Sequence, residues 1–356
     1  MNDAAALNLL EAMVRIPSYS GQETALAAFL VNEMNQAGLV SQIDDAGNAV
    51  GIVETGDCDE SSPTVVLLGH MDTVQGWIPI RVEDGKLYGR GAVDAKGPLA
   101  AFIVAASRFQ KLCSSPARLV VIGCVEEEAP SSKGAHFVVP HYRPTYCIVG
   151  EPSRWDRVTL GYKGFLRVTA RLKTDVTHSA HPTPTAAEVG CASWHRVAAA
   201  AERFNVHRER LFDQLLPTLV GIQSTSNGCH EFVVLRINLR LPPDLPPEAA
   251  AVWLAEQLPG FELESVGGLP AWSGPRTTAL HRAFGRAIRA QGRDVQFQLK
   301  TGTADMNIVA PAWGCPTVAY GPGDAALDHT PHEHIELDEY LKSISVLEQV
   351  LRSAVA

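Results

Sequence analysis

The sequence predicts an α/β protein with a central, mostly parallel sheet that carries helices on both faces, and with a smaller α+β domain inserted into it. Short apolar runs alternate with helical patterns through about the first 150 residues, as buried strands alternate with helices in such sheets. The pattern changes near residue 161 and returns to long helical segments after residue 268. The chain of 356 residues also exceeds the usual size of one domain, so two domains are expected.

Two helices are predicted at the start of the chain, followed by buried strands. Apolar residues recur at helical spacing from Leu7 to Gly38, and Pro17 and Ser20 mark a break and a helix cap. The predicted strands are the apolar runs TVVLLGHMD, ARLVVIGCVEE and TYCIVGEP. Each run ends in histidine or carboxylate residues. Because open α/β sheets bind ligands beyond the carboxyl ends of their strands, we expect a site there.

A segment with its own alternating pattern defines the predicted inserted domain. It contains the strand-like GFLRVTARLK and EFVVLRINLRL and, between them, the helical AAEVGCASWHRVAAAAERF. We therefore assign residues 1–160 to the first part of a catalytic domain, 161–268 to a lid and dimerisation domain, and 269–356 to the second part of the catalytic domain.

Charge and hydropathy exclude two classes of partner. The formal net charge of −9 argues against nucleic acid, whose binding depends on clustered Lys and Arg. No stretch reaches the roughly 18 uninterrupted apolar residues of a membrane helix, and the N-terminus lacks the pattern of a secretion signal. We expect a cytoplasmic protein with no nucleic-acid or membrane partner.

Two polar motifs in the first hundred residues are candidates for a metal site. His70 and Asp72 are two residues apart and share a face of a strand, so Asp72 can orient the imidazole. Asp94 lies in the glycine-rich run GRGAVDAKG, which lacks the GK[ST] of a phosphate loop and offers a carboxylate to a cation. The alternatives are a polar pair that only satisfies itself, and an Asp that caps the next helix.

Further carboxylates and histidines follow the later strands. Glu126, Glu127 and Glu128 end one strand and repel one another unless a cation compensates. Glu151 ends the next strand, and His329 opens the run HTPHEH; solvated surface loops are the alternative for these motifs. Histidine and carboxylate ligands without thiolates are typical of Zn²⁺, or of Co²⁺ or Mn²⁺, and a bridging carboxylate holds two such ions about 3.5 to 4 Å apart.

The order of these motifs resembles the metallopeptidase M20 family of aminoacylases, dipeptidases and deacylases. The matching motifs are HxDxV, GRGxxDxKG, EEE, GEPS and HTPxEH, and they span essentially the whole chain. GYKG, KTGTADMN, AYGPGD and LDHTPHEHI are similar to the branch that hydrolyses lysine from an amino-group carrier protein, also described as acetyl-lysine or acetylornithine deacetylases. The resemblance implies a zinc-peptidase-like catalytic domain and two divalent metal ions per subunit, Zn²⁺ or Co²⁺.

The resemblance implies a role for each motif. Of the three consecutive Glu residues, Glu127 is the one that matches the catalytic base. Asp72 matches the residue that orients a ligand histidine. The resemblance implies that His70 and Glu151 bind one metal ion, that Glu128 and His329 bind the other, and that Asp94 bridges the two.

The inserted domain supplies most of the remaining predicted residues. His178, in the run HSAHP, resembles a histidine that reaches into the partner's active site, so a homodimer is expected; His181 is the rival. Arg240 resembles an arginine that contacts a substrate carboxylate, and a salt bridge within the lid is its alternative. Asn227 and Thr303 are also predicted to bind substrate.

The activity implied is a dimetal amidohydrolase that releases free lysine or ornithine in amino-acid biosynthesis. Its expected partner is a small N-acyl amino acid or an acidic amino-group carrier protein. Residues 161–214 contain eight Lys or Arg against five Asp or Glu, which favours docking of an acidic carrier. A solvated helix face is the alternative, above all for Arg203, Arg208 and Arg210. The alternatives are a succinyl-diaminopimelate desuccinylase or a broad dipeptidase or aminoacylase and, more remotely, a noncatalytic metal-binding protein.

Overall fold

The computed structural model describes residues 1–355 of the chain. Its helices are α1 (Asp3–Arg15), α2 (Thr24–Gln36), α3 (Lys96–Leu112), α4 (Lys133–Val138), α5 (Ala186–Asn205), α6 (Pro247–Gln257), α7 (Ala279–Ala290), α8 (Met306–Trp313) and α9 (Leu337–Ala354). Its strands are β1 (Val40–Ile43), β2 (Ala49–Thr55), β3 (Thr64–His70), β4 (Arg81–Glu83), β5 (Lys86–Tyr88), β6 (Ala117–Cys124), β7 (Tyr146–Gly150), β8 (Arg157–Tyr162), β9 (Gly164–Asp175), β10 (Leu216–Ser226), β11 (His230–Leu241), β12 (Glu262–Leu269), β13 (Trp272–Ser273), β14 (Gln296–Lys300), β15 (Thr317–Ala319) and β16 (His334–Glu336).

The chain forms two compact units. The first unit consists of residues 1–161, 273–299 and 304 onward, and the second consists of residues 162–272 and 300–303. The second unit therefore takes a short return segment, 300–303, in addition to one continuous stretch.

The first unit is built on a sheet with the strand order β1-β2-β6-β3-β7-β15-β8-β13, and β14 also pairs with β8. The pairs β6–β3, β3–β7 and β7–β15 are parallel, whereas β1–β2, β2–β6 and β15–β8 are antiparallel. The strands β3 and β6 are buried along almost their whole length, which explains their continuous apolar sequences. The predicted α/β class with a mostly parallel central sheet is confirmed.

The parallel register brings three strand ends to one edge of this sheet. His70 of β3 lies opposite Cys124 of β6, and Gly69 of β3 lies opposite Gly150 of β7. The residues that follow β6 and β7 therefore begin next to His70. This edge is where the sequence predicts the site.

The helix α3 packs closely on the strands beneath that edge. A side chain at Gly150 would bring its Cβ within 2.8 Å of the Phe102 ring, so the absence of one permits the close approach. Phe102 is fully buried, as are most of the residues of α3 that face the sheet. Replacing Gly150 by alanine would push the helix away from the strand that ends at the site.

The second unit is an antiparallel sheet with the order β10-β11-β9-β12. Leu235, Ile237 and Leu239 of β11 belong to an apolar cluster that also contains residues of α5 and α6, so the helices cover one face. The helix α5 begins with a capping box between Thr185 and Glu188. Along residues 1–355, no helix combines the length and the apolar character that crossing a membrane requires.

Candidate metal centre

His70 ends β3 in a buried position with both ring nitrogens engaged. Its Nδ1 lies 2.9 Å from the backbone oxygen of Asp72, and its Nε2 lies 3.1 Å from Oδ1 of Asp94. Because a carbonyl oxygen only accepts, Nδ1 carries a proton. Nε2 is therefore the nitrogen directed toward a cation, as in histidine ligands whose other nitrogen donates to the protein.

Asp72 also positions the loop that carries Glu127 and Glu128. Its carboxylate accepts hydrogen bonds from the backbone N–H groups of Glu127 and Glu128, both at 3.0 Å, and from the Ser20 hydroxyl at 2.6 Å. The predicted role of Ser20 as a helix cap is wrong, because α2 begins later, at Thr24, after the cap residue Glu23. The Ser20 side chain instead fixes Asp72, which in turn fixes the loop that carries the acidic residues.

The turn that carries Asp94 is held by a buried carboxylate that the sequence analysis did not select. Oε1 of Glu333 accepts hydrogen bonds from the backbone N–H groups of Val93 at 3.0 Å and Asp94 at 3.2 Å. Its Oε2 lies 2.7 Å from Nη1 of Arg90. The motifs GRG and HTPHEH contained the signal, since each supplies one partner of this ion pair.

Two groups of side chains at this edge each have the donor types and spacing of a metal site. In each group, one donor atom per residue lies within 4.8 Å of the others, and Asp94 belongs to both groups. The first group is His70, Asp94 and Glu151, and the second is Asp94, Glu128 and His329. Imidazoles and carboxylates with one shared carboxylate fit a pair of divalent cations.

His329 closes the second group from the other end of the chain. Its Nε2 lies 2.9 Å from Oε1 of Glu128 and 3.1 Å from Oδ2 of Asp94. Contacts with Asp94 and Glu128 raise the pKa of His329 to about 10. Burial alone would raise the pKa of Asp94, but His329 and His70 hold it well below its usual range.

Glu127 is a carboxyl group of the cluster whose pKa is raised. Burial raises its pKa well above the usual range; His70 opposes the rise, and Glu151 and Asp305 add to it. Burial and the charge of Asp94 also raise the pKa of Glu128. Such crowding of carboxylates around two imidazoles creates a site whose negative charge divalent cations would neutralise.

The four candidates outside this cluster lie in the second unit, where two of them are in contact. Nη1 of Arg240 donates to Oγ1 of Thr303 at 2.9 Å, and Oγ1 of Thr303 donates to the backbone oxygen of Lys163 at 3.0 Å. Thr303 therefore fixes the guanidinium group of Arg240. The sequence motif KTGT contains this threonine in the segment that returns to the second unit.

The other two candidates lie at the opposite end of the same sheet. Asn227 is in the turn between β10 and β11, and its amide oxygen accepts from the N–H groups of Cys229 and His230. The exposed residue His178 follows two positions after Val176, whose N–H donates to the oxygen of Cys229 at 3.0 Å. Since β11 runs from His230 to Leu241, this end lies roughly 34 Å from Arg240.

Curated sequence relatives match most of the chain, and one of them matches nearly its whole length. The [LysW]-lysine hydrolase of Deinococcus radiodurans is 45% identical over 353 residues, which cover 98% of this chain and 96% of that protein. The [LysW]-lysine/[LysW]-ornithine hydrolase of Saccharolobus solfataricus is 27% identical over 278 residues, 77% of each chain.

Solved structures share the fold at low identity. The M20 family metallo-carboxypeptidase Sso-CP2 from Sulfolobus solfataricus has a TM-score of 0.80 at 18% identity and covers 99% of both chains. The Bacillus subtilis YXEP protein, a dinuclear metal binding peptidase from the M20 family, has a TM-score of 0.70 at 13% identity, over 98% of this chain and 97% of that one. The model of peptidase family M20/M25/M40 matches residues 66–353. The chain is a member of peptidase family M20/M25/M40, a family of hydrolases.

Proposed function

We propose that this enzyme is a dimetal amidohydrolase that releases lysine or ornithine from the carrier protein LysW. The observation that carries the reaction type is the position of Asp94. Its carboxylate belongs to both groups of histidine and carboxylate side chains, next to the half-buried Glu127. The 45% identity to the Deinococcus radiodurans hydrolase, along nearly the full length, supports the substrate.

His70 and Glu151 would hold one divalent ion, Glu128 and His329 the other, and Asp94 both. Zn²⁺ fits these donors, and Co²⁺ accepts the same set. When bound, the ions supply Lewis acidity that polarises the scissile carbonyl and makes water more acidic. Asp72 and Glu333 fix the positions of the ligands. Their carboxylates accept hydrogen bonds from the backbone N–H groups of Glu128 and Asp94, which lie in two different loops.

Glu127 acts as the general base and then as the general acid. Its carboxylate takes a proton from the attacking water and later delivers a proton to the nitrogen of the departing lysine. Crowding among other carboxylates supports this role, because a raised pKa makes the Glu127 carboxylate a stronger base than an ordinary glutamate. The hydrogen bond from its N–H to Asp72 keeps it in place.

Arg240 binds the carboxylate of the lysine or ornithine part of the substrate. A guanidinium group presents two parallel donors to a carboxylate, and Thr303 sets its direction through the bond at 2.9 Å. Thr303 then contributes to substrate binding by way of Arg240.

The active form is a homodimer in which His178 and Asn227 serve the site of the partner subunit. The two residues share one end of the second unit's sheet, while Arg240 and Thr303 share the other end, roughly 34 Å away. One small substrate cannot contact both ends of a single sheet at once. In a dimer, the second subunit places its own His178 and Asn227 beside the substrate that Arg240 binds.

Turnover of competing substrates tests the proposal. LysW of Deinococcus radiodurans loaded with lysine, N-acetylornithine, N-succinyl-diaminopimelate and a panel of dipeptides would be assayed side by side with Zn²⁺ and with Co²⁺. We expect the highest kcat/KM for loaded LysW and loss of activity on chelation. A higher kcat/KM for the succinyl compound or for the dipeptides would replace the proposal by a desuccinylase or a dipeptidase.

A further inference from the structure

The second unit has a sheet face that its helices do not cover. Leu235, Ile237 and Leu239 of β11 point into the core beneath α5 and α6. Because side chains alternate along a strand, Arg236, Asn238 and Arg240 point to the opposite side. We call this side the open face and define it by Arg236, Asn238 and Arg240 of β11 and their cross-strand neighbours on β9, Thr169 and Arg167.

A cavity of about 440 Å³ lies on the open face. Its polar wall comes from the central strands, and a valine flanks it on each outer strand. The side chains that matter are Arg167, Thr169, Arg236 and Asn238, with Val220 on β10 and Val266 on β12. The cavity is therefore a mixed surface with two cations and two apolar edges.

The two cations of this cavity are not neutralised by the protein. Neither Arg167 nor Arg236 forms an ion pair or a hydrogen bond with any residue in the described part of the chain. The neighbouring Arg171, on the same strand as Arg167, differs: its Nη1 lies 2.6 Å from Oε2 of Glu264. The cavity thus offers two guanidinium groups to an anionic ligand.

The neighbouring strand β10 determines the position of the Arg236 side chain. The pairing of β10 with β11 is irregular between Leu219 and Gly221, which leaves Val220 as an extra residue. A Cβ on Gly221 would lie 2.9 Å from Nη2 and 3.0 Å from Nε of Arg236. The guanidinium group therefore rests on the backbone of Gly221, and any side chain there would displace it.

We propose that this cavity binds carboxylates of an extended acidic segment of the carrier protein; this rests on the proposed function. Arg236, Asn238 and Arg240 follow one another at about 6.8 Å, and alternate side chains of an extended peptide have the same spacing. Acidic residues at alternate positions would thus match the open face. The whole chain carries a net charge of −9, so an acidic protein needs such a local positive site to approach it.

Kinetics with two substrates test the proposal. The substrates are lysine-loaded LysW of Deinococcus radiodurans and Nα-acetyl-lysine, which has no carrier. The variants are the double substitution Arg167→Gln with Arg236→Gln, and Gly221→Ala. For loaded LysW we expect the double variant to lower kcat/KM by about tenfold and Gly221→Ala by about threefold, with a weaker dependence on ionic strength than the wild type. For Nα-acetyl-lysine both variants should match the wild type.

Arg171→Gln is the matched control, because it removes a guanidinium from the same strand that is already paired with Glu264. It should leave both substrates unchanged. Calorimetric binding of loaded LysW to metal-loaded Glu127→Gln protein gives a second readout, in which the double variant should raise Kd by about tenfold. Wild-type kinetics on loaded LysW in the double arginine variant and in Gly221→Ala would overturn the docking site and leave the proposed function standing. Failure of the wild type itself on loaded LysW would overturn both.

Discussion

The carboxylate of Glu333 accepts a hydrogen bond from the backbone N–H of Asp94 at 3.2 Å. The two residues are 239 positions apart, and Glu333 is fully buried. His329, which lies 2.9 Å from Glu128, precedes Glu333 by only four residues. One loop near the C-terminus therefore supplies a proposed ligand and also holds the turn that carries the shared carboxylate.

The substitution Glu333→Gln should destabilise the protein and weaken metal binding. It leaves Arg90, whose side chain is only 11% exposed, without its charged partner at 2.7 Å. Breaking a buried ion pair in this way costs about 3 kcal/mol of unfolding free energy. Chemical denaturation and metal analysis of the purified protein would measure both effects.

Glu336→Gln is the control for that experiment. Glu336 pairs with Lys86 at 3.0 Å, but the two side chains are 49% and 31% exposed, so the change should cost less than about 1 kcal/mol. Equal losses in the two variants would remove the holding role assigned to Glu333.

The neighbouring residues Glu127 and Glu128 should respond differently to the same substitution. Glu127→Gln should retain two metal ions and lose nearly all turnover, because the proposed base is not a ligand. Glu128→Gln should lose metal, because Glu128 lies within 4.8 Å of the Asp94 and His329 donor atoms. Metal content and kcat decide between the two positions, and the reverse pattern would shift the assignment by one residue.

Ser20→Ala should lower kcat without removing metal. The substitution deletes the 2.6 Å hydrogen bond to Asp72, the residue that accepts the N–H groups of Glu127 and Glu128. Loss of a hydrogen bond to a charged group costs about 1.5 to 3 kcal/mol, and a part of this should appear in catalysis. Ser20→Thr keeps the hydroxyl and should recover most of the activity. If the alanine and threonine variants have the same kcat, the hydroxyl does not position the loop.

Metal binding should release protons, and metal affinity should rise with pH. In the metal-free protein, Asp94 and Glu128 raise the pKa of His329 to about 10, and its contacts with Asp72 and Asp94 raise the pKa of His70 despite burial. His329 is therefore protonated near pH 7.5 and must lose a proton to bind a cation. Calorimetry of Zn²⁺ binding at that pH in buffers of different ionisation enthalpy should show a net release of protons. No proton release would contradict a protonated His329.

The sequence predicted the edge of the sheet at which the site lies, because polar residues at the ends of apolar strands are visible in a local pattern. It did not predict the roles of Ser20 and Glu333, whose partners are 52 and 239 residues away. Such contacts depend on which loops the fold brings together, and spacing along the chain does not encode them. The separation of Asn227 from Arg240 likewise became apparent only from the length of β11.

A shared active site predicts that two inactive variants restore activity when their subunits mix. His178→Ala keeps its own Glu127, and Glu127→Gln keeps its own His178. If His178 acts on the partner's site, each mixed dimer has one complete site, and random mixing of equal amounts should recover about a quarter of wild-type activity. The assay is turnover after subunit exchange, with exchange followed by a fluorescent label on each variant.

Asn227→Ala provides the control that makes this experiment specific. Because Asn227 and His178 lie at the same end of the sheet, both should come from the same neighbouring subunit. Asn227→Ala mixed with Glu127→Gln should then recover activity, whereas Asn227→Ala mixed with His178→Ala should not, since every site in that mixture lacks one of the two groups. Recovery in both mixtures, or in neither despite demonstrated exchange, would contradict a site completed by the partner subunit.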